Sequence, residues 1–239
     1  MRHRIAHRGY SAVAPENTLP AFAAAVRAGA THVEFDVRTT VDGVPVVIHD
    51  RTLDRTTTGE GHVWEATAAE VLALDAGSWF SPAYAGVRVP TLIETLELLA
   101  APGPALLLEI KPPATLDQAK AIVELVAERG LLDRTIVQSF DPDVVALAGQ
   151  AAPDVRRGLL RMSFESDAVD LSRELGVVCC NPPVDDVLAA PERVAELAAL
   201  GIEVMPWTAN DIDRWAALAD AGVAGLITDR LGELTGWAS

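Results

Sequence analysis

The chain has 239 residues, 50% hydrophobic and 22% charged, which suits one large core and a single barrel domain over 1–239. Its formal net charge of −15 argues against nucleic acid as a partner, because a phosphate backbone calls for a basic face. A small anionic ligand stays open, since a few local cations and a metal ion can reverse the field inside a cleft.

In chain order, the patterning predicts a strand at 4–9, a helix at 19–28 and a strand at 32–39. A strand-like run, 44–49, and a Gly-, Thr- and aromatic-rich stretch, about 51–88, precede a helix at 92–100. Strand–helix pairs follow at 105–111 and 116–129, 135–139 and 142–151, 156–161 and 165–175, 177–181 and 191–200, and 202–207 and 212–221. A strand at 225–228 and a helical tail at 231–237 close the series. Thr91 with Glu94 reads as a capping box, Asp141-Pro142 as a cap before a first-turn proline, and Asn210 as a cap. Such alternation implies parallel strands with helical crossovers, and eight units point to a TIM (β/α)8 barrel, an open doubly wound sheet being the alternative.

The run 44–49 breaks the alternation. It follows Asp42-Gly43, a two-residue hairpin signal, so it is expected to fold back antiparallel on the second strand. Counting outward from that turn pairs Val41 with Val44 and Asp36 with His49. The stretch 51–88 then reads as an insertion over one rim of the barrel.

In the second strand, alternation puts Glu34 and Asp36 on one face and Val33, Phe35 and Val37 on the other. In a barrel the acidic face is the lumen, where two carboxylates repel unless a cation joins them. Glu109 interrupts the apolar third strand, Lys111 shares its face, and a Glu–Lys ion pair is the plain structural reading. Three carboxylates at neighbouring strand ends suit a hard, oxygen-seeking divalent cation, Mg²⁺ or Ca²⁺, better than Zn²⁺. His7 and His49 close their strands beside that cluster, as candidates for acid and base. Arg8 and Lys111 are placed for an anionic oxygen. His3, His32 and His62 lack that context and read as structural or solvent-facing.

These residues resemble the glycerophosphodiester phosphodiesterase family. The match runs through His7-Arg8-Gly9, Pro15-Glu16-Asn17-Thr18, Glu34-Phe35-Asp36-Val37, Asp42-Gly43, His49-Asp50 and Arg55. It continues through Pro90-Thr91-Leu92, Glu109-Ile110-Lys111, Gln138-Ser139-Phe140, Trp207-Thr208 and Ile227-Thr228-Asp229. The resemblance implies a phospholipase-C-like phosphodiesterase barrel. By it, Glu34, Asp36 and Glu109 bind the metal, His7 and His49 act as acid and base, Arg8 and Lys111 contact phosphate, and Trp207 lines the pocket. The last loop departs from the family pattern: Arg230-Leu231 follows Asp229 without the usual proline.

The expected activity is metal-dependent hydrolysis of a small-molecule glycerophosphodiester to glycerol 3-phosphate and an alcohol. Alternatives are lysophospholipase-D-like hydrolysis of lysolipids, a non-catalytic barrel binding a phosphoryl ligand, and an aldolase or isomerase on the same fold, with Lys111 the candidate for a Schiff base. Trp64, Trp79, Phe80 and Tyr84 of the insertion can form either an apolar substrate surface or the insertion's own core. No apolar run reaches membrane-spanning length and no signal peptide is evident, so a cytoplasmic protein without stable membrane insertion is expected, as a monomer or small homo-oligomer. Cys179 and Cys180 are expected on a buried strand, pointing to opposite faces without a disulfide.

Overall fold

The computed structural model describes residues 2–238. It contains strands β1 (His3–Ala6), β2 (His32–Thr39), β3 (Pro45–Val47), β4 (Ala105–Ile110), β5 (Thr135–Ser139), β6 (Arg156–Leu160), β7 (Cys179–Asn181), β8 (Glu203–Val204) and β9 (Gly225–Thr228). The sheet order is β8-β7-β6-β5-β4-β2-β1-β9, all parallel, with β3 antiparallel on β2. Across the β8–β9 seam the Ala224 amide donates to the Val204 carbonyl (2.9 Å) and the Ile227 amide to the Pro206 carbonyl (3.0 Å). Those bonds close the parallel strands into the barrel.

Helices α1 (Leu19–Arg27), α2 (Ala68–Leu72), α3 (Leu92–Leu99), α4 (Leu116–Glu128), α5 (Pro142–Ala151), α6 (Asp167–Glu174), α7 (Val184–Ala189), α8 (Glu192–Ala199), α9 (Trp215–Asp220) and α10 (Leu231–Trp237) complete the chain. None of the helices among the described residues is long and apolar enough to cross a membrane. The Thr91–Glu94 capping box forms in both directions, and the Asp141 side chain accepts from the Asp143 amide before Pro142-led α5. Asn210 does not cap. Asp211 accepts from the Asp213 amide instead, while the Asn210 carboxamide is drawn to Thr228 and Asp229 across the seam. Helix α7 was not expected, because 184–190 is too short for a periodic signal.

The alternation read in β2 holds. Val33, Phe35 and Val37 pack outward with Phe22, Leu92 and Leu96, while Ile5, Leu107, Ile136, Cys179, Met205 and Ile227 fill the lumen. Cys180 packs with the outer helices, so the two free cysteines do face opposite ways.

The hairpin register is the main correction. Val37 pairs with Val47 and Thr39 with Pro45, one residue off the expected pairing. The loop holds three residues, Val41, Asp42 and Gly43, with the Gly43 amide donating to the Thr40 carbonyl (3.0 Å) and Gly43 at φ +83°. That is a tight turn closed by a left-handed glycine, which adds one residue to a two-residue loop. Asp36 therefore faces Ile48, whose amide donates to the Asp36 carbonyl (3.0 Å), and a one-residue slip reverses every side chain.

Between β3 and α3, the insertion packs Leu53, Val63 and Val71 against Val46 and Ile48 of the hairpin. Its aromatics form edge contacts, Trp79 to Phe80 and Phe80 to Tyr84, and Trp64 stacks on His62.

Candidate active site

Parallel barrel strands present their C-terminal ends to one face, and the charged residues collect there. Glu34 and Asp36 come from β2, and Glu109 from β4, where Asp36 and Glu109 sit side by side in register. Their carboxylate oxygens lie within 4.8 Å of one another, and all three residues are buried. They border a cavity of about 280 Å³ lined also by His7, Arg8, His49, Lys111, Gln138, Phe140, Leu160, Met162, Trp207 and Ile227. All eight residues singled out in the sequence therefore reach one cavity.

The chain turns sharply after β1, so His7 and Arg8 lie in the loop above the strand rather than in it. Arg8 takes φ +54°, which lets its amide donate to Glu34 Oε2 (2.8 Å). Gly9 follows at φ +81°, and a Cβ there would stand 2.8 Å from the Ala21 backbone. Asn17 Nδ2 donates to Asp36 Oδ2 (2.7 Å), while Asn17 Oδ1 accepts from the Asp36 amide (3.2 Å). Lys111 Nζ bridges Asp36 Oδ1 (2.9 Å) and Glu109 Oε1 (2.7 Å), so its partners are two rather than the one expected.

Each histidine is held through Nδ1. His7 Nδ1 lies 2.7 Å from Asp229 Oδ1, and His49 Nδ1 lies 2.7 Å from Asp50 Oδ1. Asp229 also accepts from Ser11 Oγ and Asn210 Nδ2. This fixes the ring orientations and leaves Nε2 of each imidazole as the nitrogen for chemistry. Because of the register slip, His49 arrives differently from the expectation. The strand ends at Val47, and Arg38 Nε holds the His49 carbonyl (2.9 Å) as the chain bends into the cavity.

The electrostatics are strained in one direction. Burial pushes the Glu34 carboxyl well up, and Asp36 and Glu109 add to it. Burial and Asp36 likewise push Glu109 up to about 8, against the pull of Lys111. Burial acts the same way on Asp36, but Lys111, His49, Arg8 and the Asn17 hydrogen bond outweigh it and hold that carboxyl well below its usual range. Burial lowers the His49 imidazole, as do Lys111 and Arg8, with Asp36 opposing. Burial would lower the Lys111 ammonium too, yet Asp36 and Glu109 raise it, so it stays protonated and does not suit an aldolase Schiff base. Two carboxyls that resist ionisation beside a third that is ionised form a site short of positive charge. The residues fit a divalent cation held by oxygen donors.

Several site residues were present in the sequence only as parts of family motifs. Asp50, Asp229, Glu16 and Asn17 gave no local signal of their own. Gln138, in register with Glu109 on the adjacent β5, and Asn181 are buried, with Asn181 Nδ2 donating to Gln138 Oε1 (2.8 Å). Trp207 is pinned by its Nε1 on the Asn181 carbonyl (2.8 Å) and meets Phe140 edge-on at 5.3 Å.

A family model described as the glycerophosphoryl diester phosphodiesterase family matches residues 7–233. A glycerophosphodiester phosphodiesterase of Caldanaerobacter subterraneus is 35% identical over 227 residues, covering 94% of this chain and 93% of that protein. A solved Oleispira antarctica phosphodiesterase, in complex with the product sn-glycerol-3-phosphate, superposes with TM-score 0.91 at 31% identity, covering 97% of this chain and 94% of the other. A Thermotoga maritima glycerophosphodiester phosphodiesterase superposes with TM-score 0.80 at 26% identity, covering 99% of each chain. The chain belongs to the glycerophosphoryl diester phosphodiesterase family.

Proposed function

We propose that this protein hydrolyses glycerophosphodiesters to glycerol 3-phosphate and an alcohol, using a divalent cation and the histidines His7 and His49. The observation that carries the reading is the buried Glu34–Asp36–Glu109 cluster opening on a cavity with His7 and His49, each braced by a carboxylate. Family membership and the glycerol 3-phosphate bound to the Oleispira relative support the substrate class.

Mg²⁺ or Ca²⁺ would be held by Glu34, Asp36 and Glu109 and would supply Lewis acidity beside the phosphoryl group. Lys111 and Arg8 add positive charge at the same wall. His49 Nε2 takes the proton of the nucleophile, which is water or the neighbouring glycerol hydroxyl. The nucleophile's oxygen bonds to phosphorus, the bond to the alcohol oxygen breaks, and His7 Nε2 returns a proton to that oxygen. Where the glycerol hydroxyl is the nucleophile, this step leaves a cyclic phosphate. Water then attacks phosphorus, giving its proton to His7 Nε2, while the ring oxygen leaves with the proton held on His49 Nε2, to give glycerol 3-phosphate. The cytoplasm is the proposed place of action, in keeping with two free cysteines.

A lysolipid substrate is the second reading. It is favoured by the apolar part of the cavity lining, Phe140, Leu160, Met162 and Trp207, of which Met162 is 73% exposed. The insertion aromatics do not serve it, since they pack on one another.

The test is a panel of glycerophosphocholine, glycerophosphoethanolamine, glycerophosphoglycerol and lysophosphatidylcholine, assayed for free glycerol 3-phosphate and lysophosphatidate. The protein is assayed after chelation and again with Mg²⁺ or Ca²⁺ restored. Metal-restored glycerol 3-phosphate release is the expected result. Full activity in the stripped protein overturns the metal role. Lysophosphatidate as the main product selects the second reading, and no release from any substrate overturns both.

A further inference from the structure

Arg55 stands eight residues past the end of β3, at the start of the insertion, and is absent from the cavity lining. Its guanidinium nevertheless makes four hydrogen bonds. Nε donates to Asp50 Oδ2 (2.6 Å) and Nη2 to Asp50 Oδ1 (3.0 Å). Nη1 donates to Glu16 Oε2 (2.9 Å) and Nη2 to Glu16 Oε1 (2.7 Å). Both oxygens of both carboxylates are engaged, a geometry that a planar guanidinium can make and an ammonium cannot.

Each of those carboxylates has a second duty. Asp50 Oδ1 holds His49 Nδ1, and Glu16 Oε1 accepts from Arg8 Nη1 (2.9 Å). The residue after Glu16, Asn17, fixes Asp36. Arg55 therefore joins the segment that carries His49 to the loop that carries Arg8. The arrangement is out of proportion to stability. The Arg55 side chain is 44% exposed, and ion pairs at such sites contribute roughly 0–1 kcal/mol. With four donors committed to carboxylates, it is also a poor phosphate ligand.

We propose that Arg55 is a positioning residue that locks the His49–Asp50 pair to the Glu16–Arg8 pair and so sets the imidazole against the phosphoryl group. The inference rests on the role given above to His49. Arg55 supports it electrostatically as well, because its hydrogen bonds hold Asp50 well below the usual carboxylate range, ahead of the opposing effect of burial.

The experiment compares R55A, R55K and H49A in the full chain with saturating Mg²⁺, reading kcat, KM and thermal midpoint on glycerophosphocholine. R55A should lose about 10–100-fold in kcat, as expected when a group orienting a reacting side chain is removed, with a smaller change in KM. R55K keeps the charge without the fork and should remain well below wild type. It also serves as the informative variant if R55A folds poorly. Guanidinium chloride at non-denaturing concentration should restore part of the R55A turnover and none of that of H49A. A folded R55A or R55K with kcat within threefold of wild type, beside an inactive H49A, overturns the positioning role. So does a lowered thermal midpoint with unchanged kcat. An H49A protein that keeps near-normal turnover overturns the underlying reading of His49 instead.

Discussion

One wall of the barrel mouth, built from β1, β2 and β4 with the hairpin beside them, carries Arg8, Glu34, Asp36, His49, Glu109 and Lys111. The rest of the mouth, built from β5, β6 and the segments after β5, β6 and β8, presents Gln138, Phe140, Leu160, Met162 and Trp207. The first wall is costly. Burial and mutual repulsion push Glu34 and Glu109 up, and the fold tolerates them because Lys111, Arg8 and Asn17 bond into the cluster. The second wall is quiet, with an amide pair and an indole N–H satisfied by a backbone carbonyl. Charge is thus gathered on one side of the cavity, and the other side is neutral.

The comparison can be broken most directly at the histidines. His7→Ala and His49→Ala should each lower turnover by about 10²–10⁴-fold, the usual range for losing a general acid or base, with thermal midpoints near wild type. A well-folded H49A enzyme with near-normal turnover would remove the chemical distinction between the walls.

A smaller effect should appear below both walls, where stability and chemistry separate. His32 is buried at the barrel floor, edge-on to His3 at 4.7 Å, and burial together with the charges of His3 and Arg156 pushes its imidazole down to about 4. The unfolded chain takes up that proton near pH 6.5, before the folded protein does. Its contribution to stability is therefore complete above pH 6.5 and is lost as pH falls toward 4, by about 2–3 kcal/mol. Urea unfolding at pH 7, 5.5 and 4 should show a shallower decline for H32Q than for wild type, with equal turnover at pH 7. Parallel declines would mean that His32 does not titrate as its burial implies.

The smallest effect should fall on the neutral wall. Met162→Ala should raise KM for lysophosphatidylcholine by about 5-fold, or ~1 kcal/mol, from partial loss of apolar contact, and leave glycerophosphocholine unchanged. An equal change for both substrates would deny this wall a part in holding an acyl chain.

Much of the molecule was legible in the chain. The eight-fold alternation predicted the barrel, and the period of two in β2 sorted Glu34 and Asp36 from Val33, Phe35 and Val37. The Thr91–Glu94 box and the Asp141 cap formed as read. These features depend on neighbours a few residues away, and local sterics and hydrogen bonding decide them. The family motifs extended that reach to every residue that lines the charged wall.

What the chain alone left open depends on distance. A single added loop residue at Gly43 shifted the hairpin register, so His49 enters the site by leaving its strand rather than by facing Asp36 across it. Asn210 looked like a cap but was claimed by Asp229 and Thr228 when the last strand closed the ring. The partner of His7 lies 222 residues away at Asp229, and that of Arg8 is shared with Arg55 from a separate segment. The sequence determined which side chains gather near the strand ends and, in β2, which way they point. Only closure of the barrel set Asp229 against His7, because that contact exists only when the first and last strands meet.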